Sequence, residues 1–190
     1  MKLEKHDALI IVDVQKDFLT GGALPVPDGD EVIPILNAYV QKFTEKKLPI
    51  FATRDSHNDY HPSFKTNGGI WPPHCLPGTL GIQFADGLQL PNVTIISKGR
   101  DKGDGYSGFE EIKLRGKLLT LGIERLFIGG LTTDYCVRET VKDALYNFAY
   151  PTFYLKDGSR AVNVNPGDAE KAEQEMVQFG AKIITLGDLE

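Results

Sequence analysis

The sequence predicts a three-layer α/β protein, with a doubly wound parallel sheet of six strands between helices. Two observations predict this fold. Short apolar runs of strand length alternate with longer segments of helical periodicity, which is the pattern of a parallel sheet covered on both faces. The 190 residues, 41% hydrophobic and 25% charged, have the composition of a globular protein that can bury one sizeable core. We therefore expect a single domain over residues 1–190.

Six segments are predicted to be strands, since each is a short run rich in β-branched and aromatic residues. In chain order they cover residues 7–14, 49–54, 93–97, 125–130, 151–156 and 182–187. Between them lie segments predicted to be helices, at residues 31–46, 109–121, 134–148 and 166–179. The first helix gathers its positive residues at its C-terminal end, where the dipole favours them, and the fourth ends at Gly180.

Two connections are too long for a minimal α/β unit. The segment from Phe18 to Asp30 is rich in Gly and Pro. The segment from Asp55 to Leu90 contains Gly, Pro, His and Trp but has little periodicity. Loops of such length in a compact domain are usually functional.

Charge and hydropathy restrict the partners. A formal net charge of −5 argues against nucleic acid or an anionic membrane as the main partner and favours a small-molecule substrate. The first apolar run, Ala8 to Val12, is too short for a signal peptide or a membrane span, so we expect a cytoplasmic protein.

The two cysteines, Cys75 and Cys136, are expected to be reduced thiols. Oligomeric state, including a homo-oligomer, is left open.

Reactive side chains follow four of the predicted strands. They are Asp13, Asp55 with His57, Lys98 and Cys136. Because ligands of an open parallel sheet bind beyond the carboxyl ends of its strands, we expect these groups to share one edge.

Cys136 stands at a transition from strand to turn to helix, with Asp134 as the expected N-cap of the helix. A thiol there feels the positive end of the helix dipole, which favours the thiolate and lowers its pKa. The turn alone does not exclude an inert buried cysteine. Asp13 and Lys98 would supply a proton acceptor and a stabilising cation, although a structural ion pair between them is the alternative.

Asp55 and His57 form an Asp-x-His pair, which is a weak metal signal by itself. His74 adds a second imidazole. One carboxylate and two imidazoles are the ligand set of a zinc, iron or manganese site with open positions.

Six motifs follow one another along the chain: IVDVQKDF (11–18), TRDSH (53–57), WPPHC (71–75), SKG (97–99), YSGFE (106–110) and GLTTDYCV (130–137). Together they resemble the nicotinamidase/pyrazinamidase family of the isochorismatase-like hydrolases, over nearly the whole chain. The resemblance implies a six-stranded parallel sheet and hydrolysis of nicotinamide, and of pyrazinamide, to the carboxylate and ammonia, feeding NAD salvage. It implies one divalent metal ion and no organic cofactor.

The resemblance also implies roles for individual residues. Cys136 is the nucleophile, Asp13 the general base and Lys98 the third catalytic group. The amides of Thr132 and Cys136 form the oxyanion hole beside a cis peptide between Leu131 and Thr132. The remaining implied roles are ring contacts for Phe18, Trp71 and Tyr106, and metal ligation for Asp55, His57 and His74, with His61 as an outer ligand.

Two other functions stay open. A related hydrolase with the same triad but no metal would act on another small amide or carbamoyl compound. A non-catalytic binding protein or thiol redox sensor would use Cys136 and Cys75. We interpret Cys75 as a packed thiol, and Asp17 and Arg54 as makers of structural polar contacts.

Overall fold

The computed structural model describes residues 1–100 and 105–190. Its centre is a sheet of six parallel strands in the order β3-β2-β1-β4-β5-β6. The strands are β1 (Asp7–Val12), β2 (Ile50–Asp55), β3 (Thr94–Lys98), β4 (Arg125–Leu131), β5 (Thr152–Arg160) and β6 (Lys182–Ile184). The predicted α/β fold is confirmed.

Four α-helices cover the sheet: α1 (Val32–Glu45), α2 (Ile112–Thr120), α3 (Arg138–Tyr146) and α4 (Asp168–Gln178). Short helical turns occupy Lys16–Phe18, Gly29–Glu31, Lys65–Asn67, Gly108–Glu110, Thr133–Val137 and Leu186–Asp188. Across the described ranges, no helix combines the length and the apolar character that crossing a membrane requires.

The two faces of the sheet bury separate clusters, because successive side chains of a strand point to opposite faces. From β1, Leu9 and Ile11 pack on the face covered by α1. Ile10 and Val12 pack on the other face, against residues of α2, α3 and α4. The strand is therefore apolar at every position from Ala8 to Val12, as expected for a strand buried on both sides.

Several predicted boundaries were wrong, for local reasons. Strand β1 stops at Val12 because Asp13 adopts a left-handed conformation with φ 48°. The predicted helix 134–148 is divided into a π-helical turn and α3, which begins only at Arg138. Strand β6 ends at Ile184 because Thr185 and Asp188 form a capping box around the next turn.

The strand order changes direction between β1 and β4, which pair with each other although β2 and β3 lie between them in sequence. Gly130 stands where these two strands meet. A Cβ there would lie 2.2 Å from the carbonyl oxygen of Val12, so glycine alone permits this approach. The crevice at such a switch point is where ligands of doubly wound sheets bind.

Candidate active site

Asp13, Lys98 and Cys136 meet at the switch point. Asp13 follows β1, Lys98 is the last residue of β3, and Cys136 lies in the turn after β4. Lys98 Nζ is 2.8 Å from Asp13 Oδ2 and 3.4 Å from Cys136 Sγ. The side chains are almost fully buried, with 0%, 0% and 6% residue exposure for Asp13, Lys98 and Cys136. The structure thus brings the three predicted groups into contact.

Lys98 also contacts two oxygens that the sequence did not point to. Its Nζ is 2.5 Å from Asp55 Oδ1 and 2.8 Å from the Gly105 carbonyl oxygen. An ammonium has three N–H donors, and here they are directed at Asp55 Oδ1, the Gly105 carbonyl oxygen and Cys136 Sγ. The approach of Lys98 Nζ to Asp13 Oδ2 is therefore mainly electrostatic. Burial works against the charge of Lys98, but the two carboxylates outweigh it and hold the pKa of Lys98 well above its usual value.

Asp13 is held by β2 as well. Thr53 donates from Oγ1 to Asp13 Oδ1 at 2.7 Å, and the Asp13 N–H donates to the Thr53 carbonyl oxygen at 3.3 Å. Burial raises the pKa of the Asp13 carboxyl to about 6, although the charge of Lys98 acts in the opposite direction. A carboxyl with such a pKa can accept and return a proton near neutral pH.

The predicted lowering of the Cys136 pKa was wrong. Burial raises the pKa of the thiol well above its usual value, and the charge of Lys98 only partly opposes this. The negative charges of Asp13 and Asp55 raise this pKa further. The desolvation of a nearly enclosed sulfur thus exceeds the effect of the turn. The resting nucleophile is therefore a thiol, and a carboxylate oxygen of Asp13 lies within 4.8 Å of its sulfur.

Asp134 was wrongly predicted to be an N-cap. It lies inside the turn Thr133–Val137, and its carboxylate accepts from the N–H of Val162 at 3.1 Å and of Asn163 at 2.8 Å. The carboxylate therefore fastens the loop after β5 to the turn that carries Cys136.

A second cluster adjoins the first through Asp55. Its carboxylate, His57 and His74 offer ligand atoms that all lie within 4.8 Å of one another. His57 Nε2 is 3.3 Å and His74 Nε2 is 4.0 Å from Asp55 Oδ2. Asp13, Asp55 and Cys136 form another such group within 4.8 Å, so Asp55 belongs to both clusters.

The donor set fits a divalent cation. His57 Nδ1 is 2.8 Å from the Gly99 carbonyl oxygen, and His74 Nδ1 is 2.8 Å from the Pro72 carbonyl oxygen. Because a carbonyl only accepts, each Nδ1 carries its proton, and in the neutral ring Nε2 presents its lone pair. Gly99 must lack a side chain, since a Cβ there would lie 2.5 Å from His57 Cε1.

The surroundings of this cluster shift the pKa values of its carboxylate and its two imidazoles. Burial would raise the pKa of Asp55, but Lys98 and His57 outweigh it and hold that pKa well below its usual value. Burial lowers the pKa of His74. For His57 the burial penalty is exceeded by the contact with Asp55, which raises its pKa. The ionised carboxylate of Asp55 is in the state that metal binding needs, whereas a cation would have to displace the proton that the raised pKa favours on His57.

His61 lies beside the cluster and not within it. Its ring centroid is 4.2 Å from that of His57, and its Nδ1 is 2.7 Å from Ser63 Oγ. The group of ligand atoms within 4.8 Å, taken over the described part of the chain, contains Asp55, His57 and His74 without it.

A cleft with about 430 Å³ of atom-free space, partly open to solvent, lies above both clusters. All three residues predicted to contact a ring line it, and so do four that were not predicted: Leu24, Ser63, Tyr135 and Val162. Trp71 Nε1 donates to Tyr106 Oη at 3.1 Å, and the Trp71 and Tyr135 ring centroids are 5.0 Å apart. Tyr135 could have been predicted to line the cleft, because it directly precedes Cys136 in the sequence.

The Leu131–Thr132 peptide bond is cis, as expected, and both residues line the cleft together with Cys136. Phe18 completes the opposite wall, with its ring centroid 5.4 Å from that of His74.

Two polar residues, the buried Gln15 and the half-buried Asp17, hold the metal-ligand segments in place, and neither was predicted to do so. Gln15 donates to the carbonyl oxygens of Asp55 at 2.9 Å and Ile82 at 3.0 Å, and accepts from the Asp55 N–H at 2.7 Å. Asp17 accepts from the Cys75 N–H at 2.6 Å, next to His74. The structural role expected for Asp17 agrees with this contact, and Cys75 is a fully buried thiol.

Comparison with known proteins gives a consistent result. The sequence model of the isochorismatase domain matches residues 7–188. The Escherichia coli nicotinamidase is 34% identical over 206 aligned positions, covering 96% of this chain and 96% of that protein.

Solved structures agree with the sequence match. The pyrazinamidase of Pyrococcus horikoshii in complex with zinc is 44% identical, with a TM-score of 0.89 over 95% of this chain and 99% of that one. A protein of L. infantum in complex with nicotinate is 33% identical, with a TM-score of 0.89 over 98% and 96% of the two chains.

Proposed function

The chain belongs to the isochorismatase family, and on that premise we propose that it is a nicotinamidase that hydrolyses nicotinamide to nicotinate and ammonia. The observation that carries the proposal is the contact of Asp13, Lys98 and Cys136 at the floor of an aromatic cleft, with a carboxylate and two imidazoles beside them. The E. coli relative is named a nicotinamidase, and the L. infantum neighbour holds nicotinate, the product of this reaction.

The first half of the reaction moves the thiol proton of Cys136 to Asp13. The Asp13 carboxylate accepts the thiol proton while sulfur attacks the carboxamide carbon and the carbonyl electron pair moves to oxygen. Lys98, 3.4 Å from the sulfur, offsets the negative charge as the thiolate forms. We assign the amides of Thr132 and Cys136 to the oxyanion that results.

In the second half, the carbon–nitrogen bond breaks and ammonia leaves with the proton held by Asp13. The acyl group remains on Cys136 as a thioester. Asp13 then accepts a proton from water as that water attacks the thioester. The carbon–sulfur bond breaks to release nicotinate, and the proton on Asp13 returns to the Cys136 sulfur. One carboxyl serves both halves, which suits a pKa of about 6.

We assign Asp55, His57 and His74 to a divalent ion, for which zinc, iron and manganese are all suitable. The zinc complex of the P. horikoshii neighbour supports this assignment. When bound, the ion supplies a Lewis acid for the ring nitrogen of the substrate. His61 is assigned an outer position, since its ring lies against that of His57. Phe18, Trp71 and Tyr106 hold the flat ring between them, and pyrazinamide fits the same arrangement.

Comparison of nicotinamide with benzamide, which lacks only the ring nitrogen, tests the proposal. Ammonia release should be rapid with nicotinamide, and kcat/KM should be lower with benzamide by about a hundredfold or more. Equal turnover of both amides would contradict the assigned role of the metal cluster. A protein that releases no ammonia from nicotinamide would contradict the function itself.

The metal-free alternative predicts different results. A hydrolase of that kind would act on small aliphatic amides or carbamoyl compounds, and removal of metal by a chelator would leave its rate unchanged. We expect nicotinamide turnover to fall after chelation and to return when a divalent ion is restored.

A further inference from the structure

Thr132 lines the cleft, and its side-chain hydroxyl is buried without a hydrogen-bond partner among the described residues. The residue is only 6% exposed, and its Oγ1 has no hydrogen-bond partner anywhere in the described chain. Thr132 lines the cleft beside Leu131 and Cys136. A buried hydroxyl without a partner is costly, and native structures usually provide one.

Three other buried threonines near the site do have hydrogen-bond partners for their hydroxyl groups. Thr133 Oγ1 is 3.2 Å from Tyr154 Oη, Thr140 donates to the Cys136 carbonyl oxygen at 2.6 Å, and Thr53 donates to Asp13. The hydroxyl of Thr132 is not used to cap the following turn either. The Thr132 carbonyl oxygen instead accepts from the N–H groups of Tyr135 and Val137. The fold thus uses the backbone of Thr132 and leaves its buried hydroxyl, in a residue that lines the cleft, without a partner in the part of the chain that the structure describes.

We propose that Thr132 Oγ1 donates a hydrogen bond to the carboxamide oxygen of the substrate, beside the two backbone amides assigned to the same oxygen. This inference rests on the proposed function. The direction of donation follows from the charges around the site. Asp13 and Asp55 already supply carboxylate acceptors near the sulfur, whereas the substrate oxygen gains negative charge and needs donors.

Such a hydrogen bond favours reaction over simple binding. The carboxamide oxygen is neutral in the bound substrate and negative in the tetrahedral intermediate, so the contact strengthens as the sulfur adds. Loss of the hydroxyl should therefore slow the chemical step more than it weakens binding of the ring.

Substitution of Thr132 by valine removes the hydroxyl and keeps the branched shape, while serine keeps the hydroxyl. We expect T132V to lower kcat/KM for nicotinamide by about tenfold to a hundredfold, as for loss of one charge-assisted hydrogen bond, and T132S to retain most of the activity. The matched control is T152V: Thr152 is 2% exposed and lies in β5, where it donates to the Tyr150 carbonyl oxygen. This variant should turn over like the wild type.

A second readout does not depend on turnover. Pyridine-3-carbaldehyde is attacked by Cys136 at its carbonyl carbon. A carbon–sulfur bond forms, the thiol proton passes to Asp13, and the carbonyl electron pair moves to oxygen, which then needs the same donors. T132V should weaken aldehyde binding by about the same factor as kcat/KM. Binding of pyridine, which has the ring but no carbonyl group, should not change. T132A gives the same comparison if the valine variant does not fold.

The inference is overturned if T132V keeps wild-type kcat/KM and wild-type aldehyde affinity, or if T132S loses as much as T132V. Failure of the proposed function has a different signature: the wild type itself would then release no ammonia from nicotinamide.

Discussion

Lys98 Nζ lies 2.5 Å from Asp55 Oδ1, at the centre of both polar clusters. The same ammonium is 2.8 Å from Asp13 Oδ2. One cation therefore neutralises the proposed general base and a proposed metal ligand together. The pairing arises from the sheet, because Asp55 and Lys98 are register partners at the ends of β2 and β3.

Removal of this cation should destabilise the fold. In K98M, two buried carboxylates would lose their common counter-ion, and we expect the free energy of unfolding to fall by about 3–5 kcal/mol. Urea unfolding in mildly alkaline buffer, where both carboxyls are ionised, measures this. The control is K113M, because Lys113 is exposed and, among the described residues, donates to the Ile95 carbonyl oxygen alone. It should change stability by no more than about 0.5 kcal/mol. A K98M protein as stable as K113M would contradict the account.

The pKa of Asp13 predicts an acid limb in the rate. Burial raises that pKa to about 6, and only the ionised carboxylate can accept the thiol proton. Protonation on lowering the pH therefore removes the base. We expect kcat/KM for nicotinamide to be level above pH 6 on this limb and to fall about tenfold per pH unit well below it.

Metal content must be followed at each pH, since protonation of the two imidazoles would also release an ion. The fall in kcat/KM is expected within the pH range in which the ion stays bound. A kcat/KM that remains constant for two pH units below 6 in that range would show that Asp13 is not the base.

Gln15 should act on the metal site through the backbone of Asp55. Replacement by leucine leaves the Asp55 N–H and carbonyl oxygen without their partners, so the ligand is no longer fixed. We expect Q15L to weaken zinc binding by about tenfold to a hundredfold, as measured by competition with a chromogenic chelator.

Q41L is the control for this measurement, because Gln41 is exposed on α1 and donates a hydrogen bond to Glu45. Its zinc affinity should equal that of the wild type. If Q15L also binds zinc like the wild type, Gln15 does not position the ligand.

Much of the site could be predicted because it depends on where strands end. A polar residue directly after an apolar run marks the carboxyl edge of a parallel sheet, and this rule alone placed Asp13, Lys98 and Cys136 together. The fold follows from the same alternation of short apolar runs and helical segments.

The remaining features depend on contacts between distant segments. The pairing of Lys98 with Asp55 requires the register of β2 against β3, which no local pattern contains. The hydrogen bonds of Asp134 to the loop after β5 require that loop to return to the turn. The raised pKa of Cys136 comes from burial by the whole fold, whereas the turn by itself favours the thiolate.

The central claim is that Cys136 carries the acyl group of nicotinamide. The direct measurement is release of nicotinate and ammonia by the wild type, C136A and C75A, with acid-quenched protein analysed by mass spectrometry. The account predicts turnover by the wild type and by C75A, a nicotinoyl adduct on the peptide that contains Cys136, and neither turnover nor adduct in folded C136A. Wild-type turnover by C136A would contradict it.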